Sequence, residues 1–215
     1  MIDAKANATS GYLKGTIEPR LLTMLQAEAA KMEKANFEGK RKYHGYLAGH
    51  LQHEYAFNNP ILVDETDTLI RDCVKLYEER FGSAIFEDFI KKSTSKPATD
   101  YQLVVGPIWI NFMQKYEFNP SHNHSGLFSY VIWVKVPYTE EEERAYWEYQ
   151  KDPKSGVFAF QHLDCTGKFI TDVQESVEGG IVFFPANLTH CVYPFYTSDE
   201  FRVSIAGNVF LEKVE

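Results

Sequence analysis

From Tyr101 onward the chain breaks into short runs rich in β-branched and aromatic residues, separated by turn signals, over 101–105, 107–113, 127–136, 157–163, 168–172, 181–184, 190–195 and 201–210. Such a succession predicts strands, and about eight of them in series predict a double-sheet jelly roll or a barrel. Aromatic residues make up 15% of the sequence, which suits strand-rich packing and opposes disorder. One charged helical insert interrupts the series: Thr139 is its expected N-cap, and Glu140 to Glu143 fall where a helix N-terminus favours negative charge. These four acids are read as a solvated first turn.

The first hundred residues have a different texture. Leu21, Leu22, Leu25, Ala29 and Met32 recur near helical spacing behind Pro19, predicting a helix over 18–34 that ends near Asn36. Leu69, Ile70, Cys73, Val74, Tyr77 and Phe81 form a second stripe, predicting a helix over 64–81 stopped by Gly82. His44, His50 and His53 beside Glu54 are read as polar residues on a surface turn or helix, because no apolar strand frames them. The linker-like stretch 93–100 then separates a helical segment, 1–100, packed outside the barrel from a β core, 101–215, in one domain overall.

Three cysteines, odd in number and without a CxxC pair, oppose a disulfide frame and a thiolate zinc site. No apolar run approaches the roughly 20 residues that span a bilayer, and Met1 to Gly15 lacks a basic start and a hydrophobic segment. A cytoplasmic protein is expected. The formal net charge of -8 disfavours nucleic acid, whose backbone is gripped by Lys and Arg, although the local patch Lys40-Arg41-Lys42 is basic.

Chemistry concentrates in the β half. His122 and His124 stand two residues apart at the mouth of the run Leu127 to Val136, and side chains alternate along a strand, so both imidazoles are expected on one side. His190 follows the run Ile181 to Pro185, and Arg202 lies twelve residues further on, with Ser204 two beyond. Imidazole suits iron, and a guanidinium holds a carboxylate through two parallel hydrogen bonds at any working pH. The pattern outlines a metal site with an anion clamp. Oxygen-activating iron sites commonly combine two histidines with one carboxylate, as His-x-Asp/Glu with a distant His. Here His122-Asn123-His124 keeps the spacing and lacks the acid.

The segments Phe118 to Gly126, Val131 to Pro137, Glu178 to Pro185 and His190 to Ile205 resemble the 2-oxoglutarate and Fe(II)-dependent oxygenases, and within them a small group frequent in cyanophage and marine bacterial genomes. The resemblance covers about 101–210. It implies a double-stranded β-helix (a cupin-like jelly roll), with Fe(II), 2-oxoglutarate and O2 as cofactors. The expected activity is a hydroxylase that couples decarboxylation of 2-oxoglutarate to succinate with oxidation of a small molecule or protein side chain. By position His190 would bind iron and Arg202 would pair with the distal carboxylate of 2-oxoglutarate, with Ser204 on the same face. Two frames remain for the rest: His122, His124 and His190 as three ligands, or His124 and Gly126 in the His and acid positions of a two-histidine site. Asn111 and Tyr130, on neighbouring strands, are weaker candidates for contacts to the cosubstrate. The competing readings are a three-histidine cupin-type dioxygenase without 2-oxoglutarate and a non-enzymatic jelly-roll module.

Overall fold

The computed structural model describes residues 2–6, 11–43, 49–83, 87, 101–151, 153–164 and 166–213. The expected linker 93–100, His44 and Cys165 lie outside them. The strands are β1 (Asp3–Ala6), β2 (Gly11–Thr16), β3 (Glu54–Ala56), β4 (Tyr101–Met113), β5 (Asn119–His122), β6 (Phe128–Lys135), β7 (Phe158–Leu163), β8 (Phe169–Gln174), β9 (Gly180–Pro185), β10 (His190–Val192) and β11 (Arg202–Lys213). The helices are α1 (Pro19–Lys34), α2 (Pro60–Phe81) and α3 (Glu140–Tyr146). All pairings between these strands are antiparallel, in a seven-stranded sheet ordered β1-β2-β9-β6-β11-β4-β3 and a four-stranded sheet ordered β5-β10-β7-β8.

Two layers of core follow from strand alternation. On β4, Ile108, Ile110 and Phe112 join Phe128, Ile132 and Val134 of β6 and Val203 and Ile205 of β11 in one buried cluster with Leu25, Met32, Ile70 and Tyr77 of α1 and α2. The opposite face packs on the smaller sheet, where Trp133, Val182 and Phe184 meet Phe158 and Phe160. Each fully buried aliphatic or aromatic side chain contributes roughly 1.5–3 kcal/mol, so β11, covered on both faces, is pinned in register.

Several boundaries differ from the sequence expectation for identifiable reasons. α2 begins four residues before the expected start: the Asn59 side chain accepts from the Leu62 N–H at 3.4 Å and Pro60 takes the first turn, a cap and proline signal. The runs 101–105 and 107–113 are one strand, whose register with β11 shifts between Gly207 and Val209, the kind of irregularity that tolerates Pro107. The segment before residue 101 contributes strands as well as helices: β2 pairs with β9, and β3 with β4. Glu142 closes a capping box with Thr139, but Glu143 is no solvated acid. It is 1% exposed and accepts from the backbone N–H groups of Tyr196 and Thr197, at 2.9 and 2.8 Å, and from the Ser155 hydroxyl. This carboxylate fastens α3 to the segment that follows β10.

Candidate metal centre

His190 opens β10 directly opposite His122, the last residue of β5. His124 lies two residues past the end of β5, where the chain crosses from the small sheet to the large one, and its backbone N–H is anchored to the Ala186 carbonyl at 2.8 Å. The three imidazoles therefore converge through a crossing between sheets, not through alternation along one strand as the sequence spacing suggests. Their ring centroids stand 4.3 to 4.9 Å apart, and one ligand nitrogen from each lies within 4.8 Å of the others.

Hydrogen bonds set the tautomers. His122 Nδ1 lies 2.7 Å from the Pro120 carbonyl and His190 Nδ1 lies 2.9 Å from the Leu188 carbonyl. A carbonyl only accepts, so Nδ1 carries the proton in both rings and Nε2 offers its lone pair. Phe158 and Phe184 flank His190, at 5.2 and 4.9 Å between centroids. Burial holds the His122 imidazole below its ordinary range. Burial, with His122 nearby, lowers His124 to about 4. Burial first, and then the other two histidines, hold His190 well below its usual value. All three are neutral near pH 7, the form in which imidazole binds metal.

Arg202 faces the same cavity. It is 5% exposed, and its Nη1 donates to the Tyr138 hydroxyl at 3.1 Å and the Gly156 carbonyl at 3.3 Å, while Nη2 points at the Met113 sulfur at 2.8 Å. Ser204, two positions along, pairs in register with Asn111, whose amide donates to the Ser204 hydroxyl at 3.4 Å. Both line the cavity with the histidines, Trp133 and Val192.

Tyr130 is among the residues that line the cavity, but it belongs to the helix-side core with Phe128 and Ile132, and its hydroxyl lies over Gly207. Val131 and Trp133 line the cavity from the opposite parity of β6. Gly126 adopts φ +104, and a Cβ there would meet the Val209 carbonyl oxygen at 2.7 Å and the Phe210 ring at 3.2 Å. Glu54 was hidden by its neighbours in sequence. It is 1% exposed on β3, lines this cavity and pairs in register with Asn111, whereas His53 hydrogen-bonds the Tyr55 hydroxyl and packs at a tilt against Phe37, and His50 stacks on Phe118. The alternation Glu54-Tyr55-Ala56-Phe57, with Tyr55 and Phe57 in the helix-side core, was the available signal for a strand.

Residues 107–208 match the family model described as "Putative 2OG-Fe(II) oxygenase". A prolyl-4-hydroxylase from Pseudomonas putida superposes with a TM-score of 0.58 at 11% identity, covering 97% of this chain and 95% of that one. A prolyl hydroxylase from Trichoplax adhaerens, solved with a hypoxia inducible factor oxygen degradation domain peptide fragment, gives 0.55 at 8% identity over 94% and 84%. AviO1 from Streptomyces viridochromogenes gives 0.51 at 12% identity over 94% and 90%. No curated protein matches the chain. The family model covers just under half of the chain, and the superposed structures, at 8–12% identity, share its fold. An oxygenase of this family implies Fe(II), 2-oxoglutarate and O2 as cofactors.

The residues present fit that oxygenase chemistry. Three neutral imidazoles, with the tautomers of His122 and His190 pinned, make a donor set suited to Fe(II). Arg202 Nε, Asn111 Oδ1 and Asn119 Oδ1, on residues that line the cavity, are buried without a hydrogen-bond partner among the described residues, and buried polar atoms of that kind call for a polar ligand.

Proposed function

We propose that the protein is an Fe(II)- and 2-oxoglutarate-dependent oxygenase acting as a hydroxylase, with a double-stranded β-helix core at 101–215 braced by 1–100. In this reading His122, His124 and His190 hold the metal, and Arg202, helped by Ser204 and Asn111, holds the distal carboxylate of 2-oxoglutarate. The observation that carries it is the convergence of three imidazoles, two of them tautomer-pinned, on a cavity that also contains a buried guanidinium.

The bound metal, with O2 and 2-oxoglutarate, supplies the oxidising chemistry that releases succinate and CO2 and oxidises a C–H bond. The chain's own contribution is placement. The Pro120 and Leu188 carbonyls orient two imidazoles; Tyr138, Gly156 and Met113 hold the Arg202 guanidinium; and Trp133, Phe158, Phe184 and Val192 give the cavity an apolar wall that disfavours water. The Cβ direction at Gly126, toward Val209 and Phe210, favours the three-histidine frame over one that treats position 126 as the acid position. A buried cationic clamp favours 2-oxoglutarate use over the cupin-type reading without it.

The substrate is taken to be a small molecule or a protein side chain, and the site of action the cytoplasm, that of a host cell if the resemblance to the cyanophage group holds. No helix among the described residues is long and apolar enough to cross a membrane. The test is turnover without substrate: purified protein given Fe(II), O2 and 2-oxoglutarate should form succinate slowly. Folded, metal-loaded protein that neither binds nor turns over 2-oxoglutarate would contradict the assignment.

A further inference from the structure

One acid in the cavity has no part in the scheme above. Glu54 sits on the edge strand β3, whose register places it opposite Asn111, which in turn stands opposite Ser204, itself opposite Trp133. These four residues form one cross-strand row that lines the cavity. Its neighbours Tyr55 and Phe57 belong to the opposite, helix-side core, so the carboxylate is committed to the cavity by strand parity. Glu54 is outside the group of metal-capable atoms formed by the three histidines among the described residues.

The charges in the cavity give this placement a purpose. Fe(II) and the 2-oxoglutarate dianion cancel each other, three neutral imidazoles add nothing, and Arg202 leaves one positive charge uncompensated. In a site with two histidines and one carboxylate the ligand acid removes that excess; in His122-Asn123-His124 it is missing. An excess charge enclosed away from water is costly, and a carboxylate in the same low-dielectric space offsets it over several ångströms. We propose that Glu54 supplies, from beyond the ligands, the negative charge that the histidine motif lacks. The inference rests on the three-histidine reading of the metal centre.

The prediction separates electrostatics from architecture because the two bound species have opposite charge. Replacing Glu54→Gln keeps shape and removes the charge, so Mn(II) affinity should fall about tenfold, while 2-oxoglutarate affinity of the Mn(II)-saturated protein stays level or rises. A role confined to packing would lower both together. His124→Asp puts a carboxylate back among the ligands, so E54Q/H124D should recover Mn(II) affinity over E54Q, and E54Q should cost the H124D protein none. Calorimetric Mn(II) and 2-oxoglutarate titrations of the parent and these variants, each checked for folding by thermal melting, read every arm. If the parent binds no Mn(II), the three-histidine centre itself fails. If the parent binds Mn(II) and E54Q binds it equally well, loses both ligands in parallel, or unfolds in both backgrounds, the role given to Glu54 is overturned.

Discussion

His122 and His190 face each other across the β5–β10 pair, and each ring gives its Nδ1 proton to the backbone carbonyl two residues before it, Pro120 in one case and Leu188 in the other. The repetition means that two short strands fix both tautomers without any side-chain partner. In the proposed centre both Nε2 atoms are left for a metal, and His124, brought in by the chain crossing, would complete the set.

If all three rings are ligands, His122→Ala, His124→Ala and His190→Ala should each reduce Mn(II) or Fe(II) affinity by comparable large factors, measured by calorimetry. Retention of parent affinity in His122→Ala with loss in His124→Ala would restore the two-histidine frame.

Gly126→Asp separates the same frames by addition. With φ +104 and the Val209 carbonyl 2.7 Å from the new Cβ, the substitution is strained by roughly 1–3 kcal/mol, and its carboxylate points away from the cluster. A lower melting temperature with no gain in metal affinity is expected; tighter metal binding would show that position 126 does face the metal.

Arg202→Lys keeps the charge and loses the fork. A charge-assisted hydrogen bond contributes about 1.5–3 kcal/mol, so 2-oxoglutarate affinity should fall roughly tenfold to hundredfold while metal binding stays near the parent level. Titration of the metal-loaded variant with 2-oxoglutarate checks this; unchanged affinity would remove Arg202 from the clamp.

The histidines also set an acid limit. Burial lowers all three in the folded protein, His124 to about 4, whereas in the unfolded chain they titrate near 6.5. Below about pH 6.5 the unfolded state therefore takes up protons that the folded state refuses. The apo protein should lose stability as pH falls from there toward 4, by up to about 1.4 kcal/mol per pH unit from His124, with His122 and His190 acting in the same direction. Above pH 6.5 these groups make no difference. Mn(II) blocks protonation in the folded state and should move the acid transition, followed by circular dichroism, to lower pH; an unmoved transition would speak against histidine ligation.

Glu143→Ala leaves the Tyr196 and Thr197 N–H groups and the Ser155 hydroxyl without their shared acceptor. A loss of about 3 kcal/mol, seen as a lower urea midpoint, is expected. A change under half a kcal/mol would mean that water replaces the carboxylate at little cost.

Much of this fold was readable because period-2 runs between turn signals define strands. Residues 127–136 predict β6 to within a residue at each end, and the parity that puts Arg202 and Ser204 on one face of β11 also puts Asn111 opposite Ser204. The same parity, applied to Trp133, would have sent Tyr130 to the other face. What the sequence concealed depends on contacts far apart in the chain. His122 and His124 belong to different local structures despite their spacing, and only the crossing between sheets brings them together. Glu54 lies on a strand of three residues, whose brief alternation with Tyr55 is masked by the polar His50, Gln52 and His53 before it, and its place in the sheet depends on pairing with the distant β4. Glu143 looks like any acid in a first helical turn until the segment after β10 folds over it.

The proposed function requires Fe(II) and 2-oxoglutarate to bind together at the histidines and Arg202. Under anaerobic conditions the two added together should give a weak visible charge-transfer band. The band is expected for the parent protein, with its loss in His190→Ala and a higher 2-oxoglutarate requirement in Arg202→Lys. A folded, iron-loaded parent without the band, or a band that survives His190→Ala unchanged, would contradict it.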